Sequence, residues 1–377
     1  MFACYGFITY LFKLLIPHHL SAFYPYPVQG GAGLPGWYYI YPVILAGLVA
    51  LVFYSFRYTR KIFFALSFFA ITVFLVLQLL PVGGAIMADR YTYIPSIGFF
   101  YLAGEGFYWL WQKKSSTINL KYFSLFMLSI VAILISVITY QRCKVWESSM
   151  TLWNDVISKE KKVALAYNNR GAIWQEQKKY PEALEDYNKA VGLRPKWAEP
   201  FQNRGVLFAI QGRYPEAISD YNKAIELKPE FTEAYNNRGM LLMNTQKYAE
   251  AKADFDKAIA LQPGFATGYN NRGNLFLNME KYDEAMADYT KAVALEPGYF
   301  KAYNGMGVLL MRQKKYDEAI TKFNKAIETQ PGYGEAFSNR AISEYYSGKK
   351  DIACKDLQEA IRLGFQNAND LYSQWCR

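Results

Sequence analysis

The chain has 377 residues, is 52% hydrophobic and 18% aromatic, and carries a net charge of +10. Its two parts are unlike: residues 1–145 hold ten Lys or Arg against two acids, whereas residues 146–377 hold 32 against 30. The basic residues form short clusters between apolar runs rather than a patch, which excludes a nucleic-acid footprint and points to a membrane segment followed by a second domain.

Apolar runs come first. A short one at 2–16, interrupted by Lys13, reads as part of a spanning helix or as an interfacial one. No signal-peptide pattern fits it. Four more runs, at 38–56, 62–80, 94–111 and 122–140, approach the ~20 helical residues that cross a bilayer core. Arg57, Arg60 and Lys61 lie between the first two of these four. Lys113, Lys114 and Lys121 lie between the last two. The basic-residue bias makes both loops cytoplasmic. Loops 17–37 and 81–93 then face a periplasm or lumen, and so does everything after Tyr140, against the weaker signal of Arg142 and Lys144. Membrane lipids are expected partners. His18 and His19, the only histidines, read as interfacial loop residues, and no metal site is expected.

Within "GGAIMADRYTYIPSIGFF", residues 83–100, Asp89 and Arg90 stand at the outer mouth of the predicted bundle. They read either as an anchor pair flanked by interfacial Tyr91 and Tyr93, or as a lip that holds an anionic headgroup through Arg90. Glu105 sits mid-span between Gly104 and Gly106. A mid-span acid faces a bundle interior or a polar cavity, with a structural hydrogen bond as its plainer role.

Residues 146–163 read as the second helix of a degenerate repeat, with Trp153 and Val156 in register with Tyr187 and Ala190. From 164 to 367 the chain repeats every 34 residues. "YNNRG", "FQNRG", "YNNRG", "YNNRG", "YNGMG" and "FSNRA" begin at Tyr167, Phe201, Tyr235, Tyr269, Tyr303 and Phe337. Alanines recur at 183, 217, 251, 285, 319 and 353 and again seven residues later, and Pro195, Pro229, Pro263, Pro297 and Pro331 close five units. This is the tetratricopeptide repeat pattern, a helix–turn–helix that stacks into a solenoid. The predicted fold class is therefore all-α: a polytopic transmembrane helix bundle (1–145), six repeats of 34 residues and a capping tail (368–377).

Asn169, Asn203, Asn237, Asn271 and Asn339 recur at one position of the first helix, with Gly305 breaking the series. Side-chain amides both donate and accept. They either hold an extended polypeptide in the groove by its backbone or bond within and between repeats. Arg170, Arg204, Arg238, Arg272 and Arg340 recur beside them, and Asp186, Asp220, Asp254, Asp288 and Asp356 recur on the second helix. In the fifth unit both change together, to Met306 and Lys322. Joint loss predicts mutual ion pairs inside each unit, in preference to arginines that bind a ligand. Cys354 and Cys376 can meet near the chain end, and their pairing is left open.

A multi-span region bearing "MADRYTYIPSIGFFYLAGEG" and followed by these repeats resembles the transmembrane and tetratricopeptide-repeat-containing family. The match runs from "LIPHHLSAFYPYP" through Asp89, Arg90, Tyr93, Pro95, Ser96 and Gly98 into the repeats. The resemblance implies kinship with membrane glycosyltransferases that use a lipid-linked sugar donor, and in eukaryotes with O-mannosylation in the endoplasmic reticulum. Such relatives have about twice as many spans, with acidic residues in their first outer loop. Here loop 17–37 has none. The chain is expected to begin inside the family's membrane domain. Asp89 and Glu105 are its remaining candidates for a catalytic base, and Arg90 and Tyr93 for substrate or headgroup contact. No cofactor is expected in the chain itself. The expected function is a membrane-anchored protein binding polypeptide on the periplasmic or lumenal side, with the back part of a membrane O-glycosyltransferase as the alternative.

Overall fold

The structure is a computed structural model that describes residues 7–9, 11–12, 24–25, 36–76, 85–87, 93–112 and 118–376. Two compact units divide the chain, Met1–Pro195 and Lys196–Arg377.

In the first unit, residues 7–9 and 11–12 are helical. A turn of 3-10 helix at Gly36–Tyr39 leads into α1 (Ile40–Phe56), followed by α2 (Arg60–Val76), α3 (Tyr93–Gln112) and α4 (Ile118–Val145). Helices therefore form at each of the four apolar runs. α1 packs on α2, and α2 on α3. Aromatic edges join them: Phe56 meets Phe63 at 4.9 Å between ring centres, and Phe64 meets Tyr101 at 5.8 Å. Tyr38, Ala65 and Phe69 are buried there. Strand β1 (Tyr24–Pro25) pairs antiparallel with β2 (Ala85–Met87), so the architecture is helical apart from this one short ladder among the described residues.

Among the described residues, Leu125–Val145 within α4 is the one helical stretch both long and apolar enough to cross a bilayer; Ile40–Phe56 is apolar but shorter. The bundle of several spans expected from the sequence is thus matched in helix positions, while one helix meets the length and composition test. Leu125–Val145 is not a core helix of this chain, because its apolar side chains stand exposed, Ile133 at 63% and Leu134 at 57%.

The first unit ends with α5 (Ser149–Lys159), α6 (Ala164–Glu176) and α7 (Tyr180–Leu193). Ser148 starts α5 with a reciprocal cap: its hydroxyl accepts from the Thr151 amide at 3.1 Å, and its own amide donates to the Thr151 hydroxyl. Val156 is fully buried against Val163 and Ala166.

The second unit stacks five helical hairpins. They are α8 and α9 (Ala198–Ile210, Tyr214–Leu227), α10 and α11 (Thr232–Asn244, Tyr248–Leu261), and α12 and α13 (Ala266–Asn278, Tyr282–Leu295). Then follow α14 and α15 (Phe300–Arg312, Tyr316–Thr329), α16 and α17 (Gly334–Tyr346, Lys350–Arg362), and a final α18 (Ala368–Trp375). The core repeats with the sequence. In the fourth repeat Ala285, Tyr289 and Ala292 are fully buried, and a Cβ placed on Gly273 would lie 2.8 Å from the Tyr289 ring. The aromatic therefore sits directly on the glycine of its own hairpin. The last repeat shifts both together: Ala341 has the missing carbon and Leu357 replaces the ring.

Each hairpin turns through one residue with positive φ, 34 positions apart. Glycine fills that place at Gly212 and Gly348, whereas Lys178, Gln246, Glu280 and Lys314 are held there with φ near 60°. A Cβ in that region costs about 1 kcal/mol. Glu280 is exposed. Glu280→Gly is accordingly expected to raise stability by roughly 0.5–1 kcal/mol, read as a higher urea midpoint at unchanged slope.

Candidate functional site

The amide series lies on the first helices of the repeats. Asn271 is buried, at 7% exposure, and Asn169, Asn203, Asn237 and Asn339 are half-buried. Their partners include a second polar column one residue earlier: Asn168, Gln202, Asn236, Asn270, Asn304 and Ser338. Asn271 Nδ2 donates to Asn236 Oδ1 of the preceding repeat at 2.9 Å, and Asn339 Nδ2 donates to Asn304 Oδ1 at 3.1 Å. The two columns knit successive repeats through paired amides. The second column was not singled out from the sequence, although its 34-residue spacing was visible there.

The break at Gly305 has a structural counterpart. A Cβ on Gly305 would lie 2.6 Å from the Tyr289 ring, whose hydroxyl donates to Asn274 Oδ1 at 2.7 Å. No asparagine side chain fits beside that ring. The next acceptor up the column, Asn270 Oδ1, is buried and receives no donor. Asn304 instead donates to Glu335 Oε1 at 3.2 Å, and the Tyr333 hydroxyl donates to the other oxygen of Glu335 at 2.8 Å.

The arginines are fully engaged. Arg272 grips Asp288 with two bonds of 2.7 Å, donates to Asp256 of the previous repeat at 2.6 Å, and lies over the Tyr269 ring at 5.6 Å. Arg170, Arg204, Arg238 and Arg340 hold Asp186, Asp220, Asp254 and Asp356 in the same two-pronged way. Arg238 and Arg340 reach back to Asn222 and Asn324, and Arg170 reaches back to Asn154 in α5 at 2.9 Å. The predicted pairs exist in all five hairpins that carry both residues, and Arg170, Arg238, Arg272 and Arg340 also tie their hairpins to the helix before. Two-pronged pairing fixes orientation as well as charge. It leaves these guanidinium groups committed to the fold rather than to a ligand.

Asp89 and Arg90 lie outside the described residues. Tyr93 is the first residue of α3, and its side chain lies outside them as well. Glu105 is described. It sits near the middle of α3, on the C-terminal side, where Lys61 Nζ donates to its Oε2 at 2.5 Å and Tyr101 also bonds to it. Lys61 is the second residue of α2, beside the basic turn that follows α1. The acid is thus drawn toward that end of the helix, about 18 Å along the axis from Tyr93 at 1.5 Å per residue. Glu105 and Tyr93 therefore do not converge on one small group. Among the described residues, no three His, Cys, Asp or Glu side chains are placed to hold a metal ion.

At the chain end a disulfide joins Cys354 in α17 to Cys376 just after α18, with 5.6 Å between Cα atoms. Trp375 stacks on Tyr345 at 4.0 Å, and Gln358 donates to the Tyr372 hydroxyl at 2.7 Å.

Comparison with known proteins agrees with the repeat geometry. Family models described as TPR repeat match residues 205–246, and models described as tetratricopeptide repeat match 164–196, 232–265 and 270–334. A tetratricopeptide repeat protein from Parabacteroides merdae has a TM-score of 0.53 at 22% identity, over 61% of this chain and 93% of its own. The Cut9–Hcn1 part of the APC/C has a TM-score of 0.55 at 18% identity, over 77% of this chain and 64% of its own. Both likenesses are of fold. In sequence, this chain is 32% identical over 142 residues to Protein O-mannosyl-transferase TMTC3 of Mus musculus, covering 37% of this chain. It is 34% identical over 118 residues to Protein O-mannosyl-transferase Tmtc1 of Drosophila melanogaster, covering 30% of this chain. The matched stretches span 15% and 14% of those relatives. With the 34-residue period, the stacked hairpins and the matched models in agreement, the repeated units of this chain are tetratricopeptide repeats.

Proposed function

We propose that this chain is a membrane-anchored repeat protein that binds polypeptide partners on the periplasmic or lumenal side. The observation that carries this reading is the row of half-buried amides at Asn169, Asn203, Asn237 and Asn339. A side-chain amide has two donors and two acceptor positions, so one that bonds within the repeats can also pair with the backbone of an extended polypeptide, a mode that demands no particular sequence. The arginines are occupied and offer no competing anion site.

Three features support the orientation and the anchoring. The Cys354–Cys376 disulfide belongs to an oxidising compartment. Strands β1 and β2 come from the two loops assigned to the outer side. The Lys61–Glu105 pair gathers at the opposite, basic end of the helices. The anchor is a bundle of α1 to α4 in contact with lipid, of which Leu125–Val145 is the longest apolar stretch.

The test is binding of a fluorescent, unfolded polypeptide to the full chain in lipid nanodiscs, followed by anisotropy. Asn237→Ala combined with Asn339→Ala is expected to weaken binding by on the order of tenfold, two amide bonds being lost. Unchanged affinity in a folded double variant would refute the groove.

A second reading is favoured by the sequence relatives, both O-mannosyl-transferases. In it, this chain is the C-terminal part of a membrane glycosyltransferase and its repeats present the acceptor to a lipid-linked sugar. Asp89 or Glu105 would act as base, and Arg90 with Tyr93 would hold the headgroup. Transfer of labelled sugar from a lipid-linked donor to the bound polypeptide, lost in Asp89→Asn, separates this reading from binding alone.

A further inference from the structure

Glu344 interrupts an apolar column. At the same place in the other repeats stand Trp174, Phe208, Leu242, Phe276 and Leu310. The Glu344 side chain is nevertheless 8% exposed, and its Oε2 is buried without any donor. Asp356 of α17 is held by Arg340 at 2.6 and 2.7 Å, so the two carboxyls stand beside one guanidinium. Arg340 Nε stands 4.0 Å from Glu344 Oε1. An ionised Glu344 would leave a charged oxygen buried with no donor, beside a second carboxylate that already occupies Arg340, so the site favours the protonated acid.

We propose that Glu344 holds a proton in the folded last repeat, and that losing it to solvent loosens the closure formed by α16, α17 and α18. The proton's departure leaves two carboxylates facing one guanidinium in a buried site, an arrangement that is costly in the interior.

The surrounding groups agree on direction. Burial and the Asp356 charge push the Glu344 carboxyl up to about 7, while Arg340 and Lys349 pull the other way. α15 contributes a neutral neighbour, Asn324, which accepts from Arg340 Nη1 at 2.7 Å. Because the folded repeat holds the Glu344 proton more tightly than the unfolded chain does, its stabilising contribution is complete below about pH 4.5. It is lost as pH rises through about 7.

The loosening has a defined route. Glu344 is followed in α16 by Tyr345, on which Trp375 of the cap stacks, while Asp356 is followed in α17 by the fully buried Leu357. The Cys354–Cys376 bond keeps the cap attached while the repeat opens. The inference holds whichever partner the repeats bind.

The experiment is amide hydrogen exchange by mass spectrometry on the full chain in detergent, from pH 5 to pH 8, corrected for intrinsic exchange. Peptides from α16 to α18 are compared with those from α12 and α13. In the unaltered protein, opening of α16 to α18 is expected to rise by up to about tenfold per pH unit between pH 5 and 7. Glu344→Gln keeps the shape without the titration, and Glu344→Leu restores the residue type of Leu310. Both should abolish the pH dependence while α12 and α13 stay unchanged. Should the glutamine variant fail to fold, the leucine variant carries the comparison. A flat profile in the unaltered protein, or the same slope in a folded variant, overturns the proposal.

Discussion

Arg272→Met is expected to lower stability by about 3–5 kcal/mol, the cost of leaving one partner of a buried ion pair alone. Asp288 would keep its charge at 8% side-chain exposure with no cation beside it, and Asp256 would lose one of its two cations. Arg272 contributes more than charge, since it also covers the Tyr269 ring and ties the fourth repeat to the third. The fifth repeat supplies the compensating design. There Met306 is buried at 4% exposure, Lys322 is half-buried, and the hairpin still stacks between its neighbours. Combining Arg272→Met with Asp288→Lys should therefore recover much of the loss. A coupling of roughly 2–3 kcal/mol is expected from urea unfolding of the four proteins in the cycle. Additive losses would mean that the pair contributes no mutual energy and that Met306 and Lys322 changed independently.

What could be read from the sequence divides along physical lines. The 34-residue period came through because every repeat meets the same neighbours, so the same contact selects the same residue six times. Arg272 and Asp288 were readable as a pair for that reason, and because Met306 and Lys322 depart together. Asn236 and Asn304 passed unnoticed beside the more regular column at Asn237 and Asn271. Their role is to accept a bond from the next repeat, and a polar residue on a helix face looks the same whether it meets solvent or a neighbour. Lys178, Gln246, Glu280 and Lys314 concealed the left-handed turn, since only Gly212 and Gly348 carry its usual mark. Glu344 was visible as a letter in an apolar column, but its burial against Asp356 depends on two helices meeting. In residues 1–145, helices form where hydropathy marks the apolar runs. Hydropathy also put Glu105 near mid-span, but its bond to Lys61 appears only once α2 and α3 pack side by side. The β1–β2 ladder joins segments some sixty residues apart and leaves no local pattern. Asp89 and Arg90, the acid and base most tied to the family resemblance, fall outside the described residues.

Replacing both Cys354 and Cys376 with serine is expected to lower the stability of the last repeat by about 3 kcal/mol, the loop-closure entropy of a bridge spanning 22 residues. The effect should be local. α18 is short, the residue before it, Asn367, forms no side-chain cap, and it adheres through Leu371, Tyr372 and Trp375. An eight-residue helix does not persist unaided in water. Without the bridge it should fray from Leu357 and Ala360, and limited proteolysis should remove it while the repeats from α8 to α15 resist. The same bond reports on topology. In intact cells a chain with its repeats in an oxidising compartment should show Cys354 and Cys376 blocked to maleimide until reductant is added. Cys143, exposed and unpaired near the end of α4, should label without reductant once the membrane is opened. If all three cysteines react without reductant in freshly lysed cells, the repeats face the cytoplasm. The orientation inferred from Arg57, Arg60, Lys61, Lys113, Lys114 and Lys121 would then be reversed, because Arg142 and Lys144 would be the charges that govern insertion of the last span.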